Sequence, residues 1–175
     1  GNDGTVYQTL PWNHRGWHCG SGSRGSGNNT HIGVEMCEPA CIRYTSGSNF
    51  TCSDLSTARA VAKRTYEAAV ELFAMLCKQY NLNPTADGVI VSHREGHSRG
   101  IASNHGDPEH LWNGLGMGYT MDGFRKAVKA AMGGSAAGGG STSGSGSSGT
   151  SGFPTAPFTV KVLIPDLNYR SAPSM

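Results

Sequence analysis

From Gly133 to Gly152 the chain contains only glycine, serine, alanine and threonine, and nothing in that stretch can enter a hydrophobic core. This composition makes a flexible linker with a root-mean-square span of roughly 25 Å by the square-root scaling of Gly/Ser chains. The linker, residues 133–152, therefore divides the 175 residues into two unequal parts. Residues 1–132 are long enough to bury a core of their own, whereas residues 153–175 are not.

Charge and cysteine usage narrow the classes. With 14 basic and 12 acidic residues the net charge is +2, a balance that gives no electrostatic case for nucleic acid or a membrane surface. No apolar run is long enough to span a bilayer. Five cysteines, Cys19, Cys37, Cys41, Cys52 and Cys77, form no C-x-x-C pair, which argues against a structural zinc knuckle. Their odd number argues against a complete disulfide framework and leaves one bridge among Cys37, Cys41 and Cys52 open. The chain opens on Gly1 directly ahead of a strand-like segment, so its natural N-terminus is expected to be missing. The pattern fixes no oligomeric state.

Periodicity places the elements. Thr5 to Leu10 reads as a strand entered through a turn at Asn2-Asp3-Gly4. Residues 11–30 read as a loop, yet carry Trp12, His14, Trp17 and His18, which suggests a contact surface. In His31 to Met36 the apolar Ile32, Val34 and Met36 alternate with His31, Gly33 and Glu35, as in a half-buried strand. A long helix from about Ser56 to Tyr80 buries Ala69, Leu72, Phe73, Leu76, Cys77 and Tyr80, with Ser56 as its expected N-cap. Gly88 to Ser92 reads as a buried strand. A second helix starts near Thr120 and buries Phe124, Ala127, Val128 and Ala131.

Two motifs can carry chemistry. In V-I-V-S-H-R-E-G-H-S-R-G-I-A-S-N-H-G-D-P, His93 follows the buried run and Asp107 leaves a glycine-rich loop. An imidazole and a carboxylate brought together in this way can supply two ligands of a catalytic zinc. On pattern alone they can equally be a core histidine and a turn aspartate. In G-N-N-T-H-I-G-V-E-M, Glu35 falls on the polar side of its strand. There it can exchange a proton between water and a leaving amine, or stand merely as an exposed glutamate.

Taken in order with W-H-C-G at Trp17 to Gly20, these motifs resemble the type 2 N-acetylmuramoyl-L-alanine amidases, which include phage endolysins, bacterial autolysins and animal peptidoglycan-recognition proteins. The stretch from Ser92 to Trp112, followed by T-M-D-G-F-R, is similar to the clostridial phage and prophage branch. The resemblance runs from Gly4 to about Met132. It implies an α/β fold with a mixed central β-sheet flanked by helices, and one Zn2+ held by two histidines and an Asp or Cys. His93 and Asp107 match two of those ligands, Glu35 the acid/base glutamate, and His105 the cation that steadies the oxyanion. Trp17, His18 and Asn28 match residues lining the groove for the glycan and peptide.

The implied function is hydrolysis of the amide between N-acetylmuramic acid and L-alanine in bacterial peptidoglycan, on the wall itself, outside the cell or after release from a host cytoplasm at lysis. The family's first zinc histidine falls on a strand ahead of Thr5 and is expected to be absent from this chain. A non-catalytic peptidoglycan-binding module of the same fold is the first rival, and a cysteine peptidase using Cys19 the second. The segment V-K-V-L-I-P-D-L-N-Y-R-S-A-P-S is similar to the opening of bacterial Src-homology-3-like wall-binding domains, so residues 153–175 are expected to begin a β-barrel. His14, His31, His97 and His110 match no ligand position and read as solvated. Trp112 and Tyr119 read as packing residues, and Arg59, Lys63 and Arg64 as the wet face of the long helix.

Overall fold

A computed structural model describes residues 1–133 and the backbone of residues 160–162. The expected linker and most of the expected wall-binding segment lie outside the described residues. In chain order the elements are β1 (Val6–Gln8), a 3-10 turn (Gly27–Asn29), β2 (Ile42–Ser46), β3 (Asn49–Cys52), α1 (Leu55–Gln79), α2 (His93–Ser98), α3 (Glu109–Gly114), α4 (Met121–Gly133) and β4 (Val160–Val162).

Helix α1 organises the rest. Its cap is Asp54, whose carboxylate accepts from the Thr57 amide at 2.9 Å, so the helix begins ahead of the expected Ser56. Asp54 wins because its side chain reaches the amide three residues on, one of the four a helix start leaves unpaired. At the far end Asn81 takes a left-handed φ of 53°. The Leu82 amide then reaches back to the Cys77 carbonyl at 2.8 Å, and the Asn81 amide to Lys78 at 3.3 Å. This is the paired closure that stops a helix when a residue adopts αL.

Of the expected apolar stripe of α1, Ala69, Leu72, Leu76 and Cys77 are buried and Phe73 half-buried, but Tyr80 is 42% exposed because it caps the end of the helix. The buried face packs on α4. Tyr66, Ala69, Val70, Ala74 and Cys77 join Ile90, Trp112, Met121, Phe124 and Val128 in one buried cluster. Trp112 is 1% exposed. Tyr66 stacks on Tyr119 at 4.1 Å between ring centroids and meets Trp112 and Phe124 edge-on at 5.6 and 5.3 Å. Such pairs add about 0.5–1.5 kcal/mol each beyond burial. Trp112 and Tyr119 are packing residues, as read from sequence.

A smaller cluster of Ile42, Ala58, Ala62, Leu111 and Leu115 seats the β2–β3 hairpin on the start of α1. Phe50 lies so close to Gly114 that a Cβ there would fall 2.5 Å from its ring. Arg59 stays on the exposed face of α1, as expected, and donates from there to the Leu115 carbonyl at 2.8 Å, fixing the end of α3.

The fold is mixed α/β, with small two-stranded sheets flanked by helices. β2 pairs antiparallel with β3 in the register Ile42↔Cys52, and β1 pairs parallel with β4, Val6 opposite Val160. The expected central sheet is not formed by residues 31–36 and 88–92, which carry no ladder among the described residues. The carbonyls a ladder would use are taken by side chains instead. Gly88 accepts from the His31 ring at 2.9 Å, and Ile90 accepts from Arg125 Nε and Nη2 at 3.0 and 2.9 Å. The expected alternation persists in burial: Ile32, Val34 and Met36 are half-buried and Gly33 and Glu35 exposed. No described helix is long and apolar enough to cross a membrane.

Candidate active site

His93 is the first residue of α2, not the last of a strand. Ser92 caps this helix in a reciprocal box: its hydroxyl accepts from the Glu95 amide and Glu95 Oε2 accepts from the Ser92 amide, both at 3.1 Å. Glu95 is in turn gripped by Arg125 of α4, whose guanidinium also holds Ile90. The Ser92 hydroxyl donates to Glu109 at 2.9 Å. Capping, ion pair and core thus converge immediately behind His93, and a side chain on such a base keeps its geometry.

His93 Nδ1 faces Asp107 Oδ2 at 3.4 Å, with side-chain exposures of 13% and 44%. Two ligands about 2.0–2.1 Å from a tetrahedral zinc stand roughly 3.4 Å apart, so the pair fits two corners of such a site. The other ring nitrogen, Nε2, lies 3.1 Å from the Ser103 hydroxyl, a partner of the kind that fixes the orientation of a ligating imidazole. His105 lies beside this ring at 4.6 Å between centroids. No third His, Cys, Asp or Glu completes a metal-holding group among the described residues.

The opposite wall is the loop of residues 11–36. It is sewn to the loop after α2 by backbone hydrogen bonds: Arg24 N to Gly100 O and Gly27 N to Ile101 O at 2.7 Å, and Ser103 N to Cys19 O at 2.9 Å. Its internal frame is Asn28, expected to touch substrate but only 2% exposed. Asn28 Oδ1 accepts from the His18 and Cys19 amides at 2.9 and 3.0 Å, while Nδ2 donates to Gly20 O at 3.2 Å. Its amide is spent on the loop, so any influence on a ligand passes through His18 and Cys19.

His18 lies against the 31–33 backbone, its Nε2 3.2 Å from the His31 carbonyl. Only glycine fits at position 33, since a Cβ there would fall 2.3 Å from the His18 ring. Burial holds the His18 pKa below the ordinary histidine value, against the opposing pull of the His31 carbonyl and the Glu35 charge. Trp17 projects outward at 75% exposure, with the Arg15 guanidinium 4.3 Å over its ring. Cys19 is turned toward the Asn28 side chain and the Ile101 carbonyl, and burial raises its pKa. That is the reverse of what an attacking thiolate needs.

Between the walls opens a cleft of about 990 Å³ lined by His18, Glu35, His93, His105 and Asp107. Trp17 stands outside it. The third side is a cluster that sequence reasoning missed. Tyr44 of β2 donates to Glu38 at 2.6 Å, and its oxygen meets His110 Nε2 at 2.6 Å. Burial, then the Glu38 bond, drives the Tyr44 phenol far above its ordinary pKa. His110, read as solvated, is mostly buried, and its Nδ1 has no partner among the described residues. The available signal was the β-branched and aromatic pattern I-R-Y-T-S-G-S-N-F-T around Gly47, a hairpin signature. His31 is likewise engaged, tying the loop to Gly88.

The N-acetylmuramoyl-L-alanine amidase family model matches residues 1–110. Among curated proteins, a 39-residue stretch is 49% identical to the N-acetylmuramoyl-L-alanine amidase CwlH of Bacillus subtilis, covering 22% of this chain and 16% of that protein. The amidase XlyA of the same organism is 54% identical over 39 residues, 22% of this chain and 13% of its own length. The amidase CwlA, also of Bacillus subtilis, is 47% identical over 45 residues, 25% and 16% of the two chains. The matched stretches thus span well under a quarter of these relatives. No solved structure matches the chain.

Proposed function

This chain belongs to the N-acetylmuramoyl-L-alanine amidase family, and from that premise we propose that it hydrolyses the amide joining the lactyl group of N-acetylmuramic acid to L-alanine in bacterial peptidoglycan. The observation that carries the reading is the convergence of Glu35, His18, His93, His105 and Asp107 on one cleft. A cleft at the upper end of the size of ligand sites suits an extended substrate.

Glu35 is exposed on the cleft wall and makes no ion pair among the described residues. Its carboxylate takes the proton of the attacking water and returns it to the departing alanine nitrogen. His105 holds the charge that develops on the former carbonyl oxygen. His18, kept uncharged by its surroundings, offers the substrate a hydrogen bond without a competing charge. Trp17, 75% exposed and next to His18 in the chain, offers a ring on which a sugar can stack, and Asn28 holds the loop carrying both. His93 and Asp107 would hold a zinc ion between them. The chemistry zinc supplies when bound there is polarisation of water and of the amide carbonyl.

The proposal extends to a wall-acting enzyme of the clostridial phage and prophage type, with the peptidoglycan-recognition form of the fold. A wall-binding role for residues 153–175 belongs to the same proposal. The gathering of only two metal donors among the described residues favours one rival, a binding module without catalysis. One assay separates the two. Incubated with purified wall, the chain as an amidase releases new L-alanine amino ends, and Glu35→Gln lowers that release by about 100-fold or more while still sedimenting with the wall. Sedimentation of the unaltered chain without any release would establish the binding module instead.

A further inference from the structure

Two thiols stand together at the base of the β2–β3 hairpin. Ile42 pairs with Cys52, and the Ser53 amide donates to the Cys41 carbonyl at 3.0 Å, so Cys41 and Cys52 occupy diagonal positions across the ladder. Strand spacing and rise put such Cα atoms about 6 Å apart, inside the range a disulfide spans. Diagonal residues in a regular ladder face opposite sides, but Cys41 precedes β2 in a turn closed by Ile42 N to Pro39 O at 3.3 Å. Freed from the pleat, it turns to the same side as Cys52, and both pack on the cluster of Ile42, Ala58, Ala62, Leu111 and Leu115. The Cys41 thiol donates to the Asp54 carbonyl at 3.4 Å, two residues beyond Cys52, and both thiols are partly accessible.

The other cysteines are placed differently. Cys77 is buried in the α1–α4 core, Cys37 is exposed ahead of the Pro39 turn, and Cys19 is packed toward Ile101 across the cleft.

We propose that Cys41 and Cys52 are a redox modification site, closing as a disulfide when the protein meets a small-molecule disulfide such as oxidised glutathione. One thiolate attacks the glutathione disulfide and expels one glutathione thiolate, leaving a mixed disulfide on the protein. The second thiol, losing its proton, attacks the protein sulfur of that intermediate and expels the second glutathione. The two protein thiols are oxidised and the small disulfide is reduced to two thiols. The bridge staples both ends of the segment that carries Tyr44, and through Tyr44 it fixes Glu38 and His110 on the cleft wall. It rests on thiol geometry and stands apart from the hydrolytic reading.

The test uses the full chain at pH 8, treated with oxidised glutathione, then alkylated and mapped by mass spectrometry. The expected result is a crosslinked Cys41–Cys52 peptide, with Cys19, Cys37 and Cys77 still alkylatable. The melting temperature should rise by about 5–10 °C and fall back with dithiothreitol. Cys41→Ser and Cys52→Ser should each abolish the rise, and Cys37→Ser should keep it. Stable glutathione adducts on both cysteines without a crosslink, or a bridge that uses Cys37, would overturn the proposal. Neither outcome depends on amide hydrolysis.

Discussion

The two principal walls of the cleft are held by different physics. The helical wall, residues 55–133, rests on apolar packing: α1 and α4 bury Val70, Trp112, Phe124 and Val128, and the mount of His93 is capped and ion-paired from behind. The loop wall, residues 11–36, has one 3-10 turn and no laddered strand. It is held by Asn28, by three backbone bonds to the loop after α2, and by the close approach of His18 to Gly33. One wall keeps its shape by excluding water, the other by satisfying polar groups. The proposed metal pair is built from the first and the proposed proton carrier from the second, so damage to the two should separate.

Trp112→Ala should strike hardest. Removing a fully buried indole from the centre of the aromatic cluster should cost about 3–5 kcal/mol of stability by denaturant unfolding. A loss below about 1 kcal/mol would mean that packing does not hold this wall. Asn28→Ala should cost less, about 2 kcal/mol, by stranding the His18 and Cys19 amides. Its mark should be local: hydrogen exchange should quicken at His18 and Cys19 while α1 and α4 stay protected. Uniform loss of protection would show that the two walls unfold as one.

The smallest effect is in the pH dependence. Burial lowers the folded-state pKa of His18 below the ordinary histidine value of about 6.5 that the unfolded chain keeps, so the folded state binds the proton less readily. The stability this gives is fully present above that value and is lost as pH falls through the lowered folded pKa. An NMR titration should place the His18 midpoint below that of an ordinary histidine, and His18→Asn should flatten the decline of stability in that window. A midpoint at or above the ordinary value would contradict the buried setting.

The same contrast decides what was legible from the residues. Packed helices announce themselves: Ala69, Leu72, Leu76 and Cys77 of α1 and Phe124 and Val128 of α4 follow from spacing at three and four, and the stripe fails only at Tyr80, where the helix ends. The cap was misread: Asp54, three residues ahead of Thr57, takes the place expected of Ser56. The polar wall is less legible because long-range hydrogen bonds have no period. Nothing near Asn28 marks it as a frame rather than a contact, and nothing near His93 indicates Ser103 as its partner. The alternation through Ile32, Val34 and Met36 correctly gave the burial of each side chain but not the pairing. Pairing depends on a neighbour, and here His31 and Arg125 take the carbonyls at Gly88 and Ile90. His110 was misread because its partner Tyr44 lies 66 residues away, on a hairpin not foreseen.

The claim on which the rest depends is that His93 and Asp107 face one another to grip a metal. Zinc binding by the full chain, measured by competition with a chromophoric chelator against Asp107→Ala, addresses it most directly. The expected result is measurable affinity in the unaltered chain, weakened at least 10-fold in the variant, with both proteins equally folded. Equal affinity in the two would contradict the assignment.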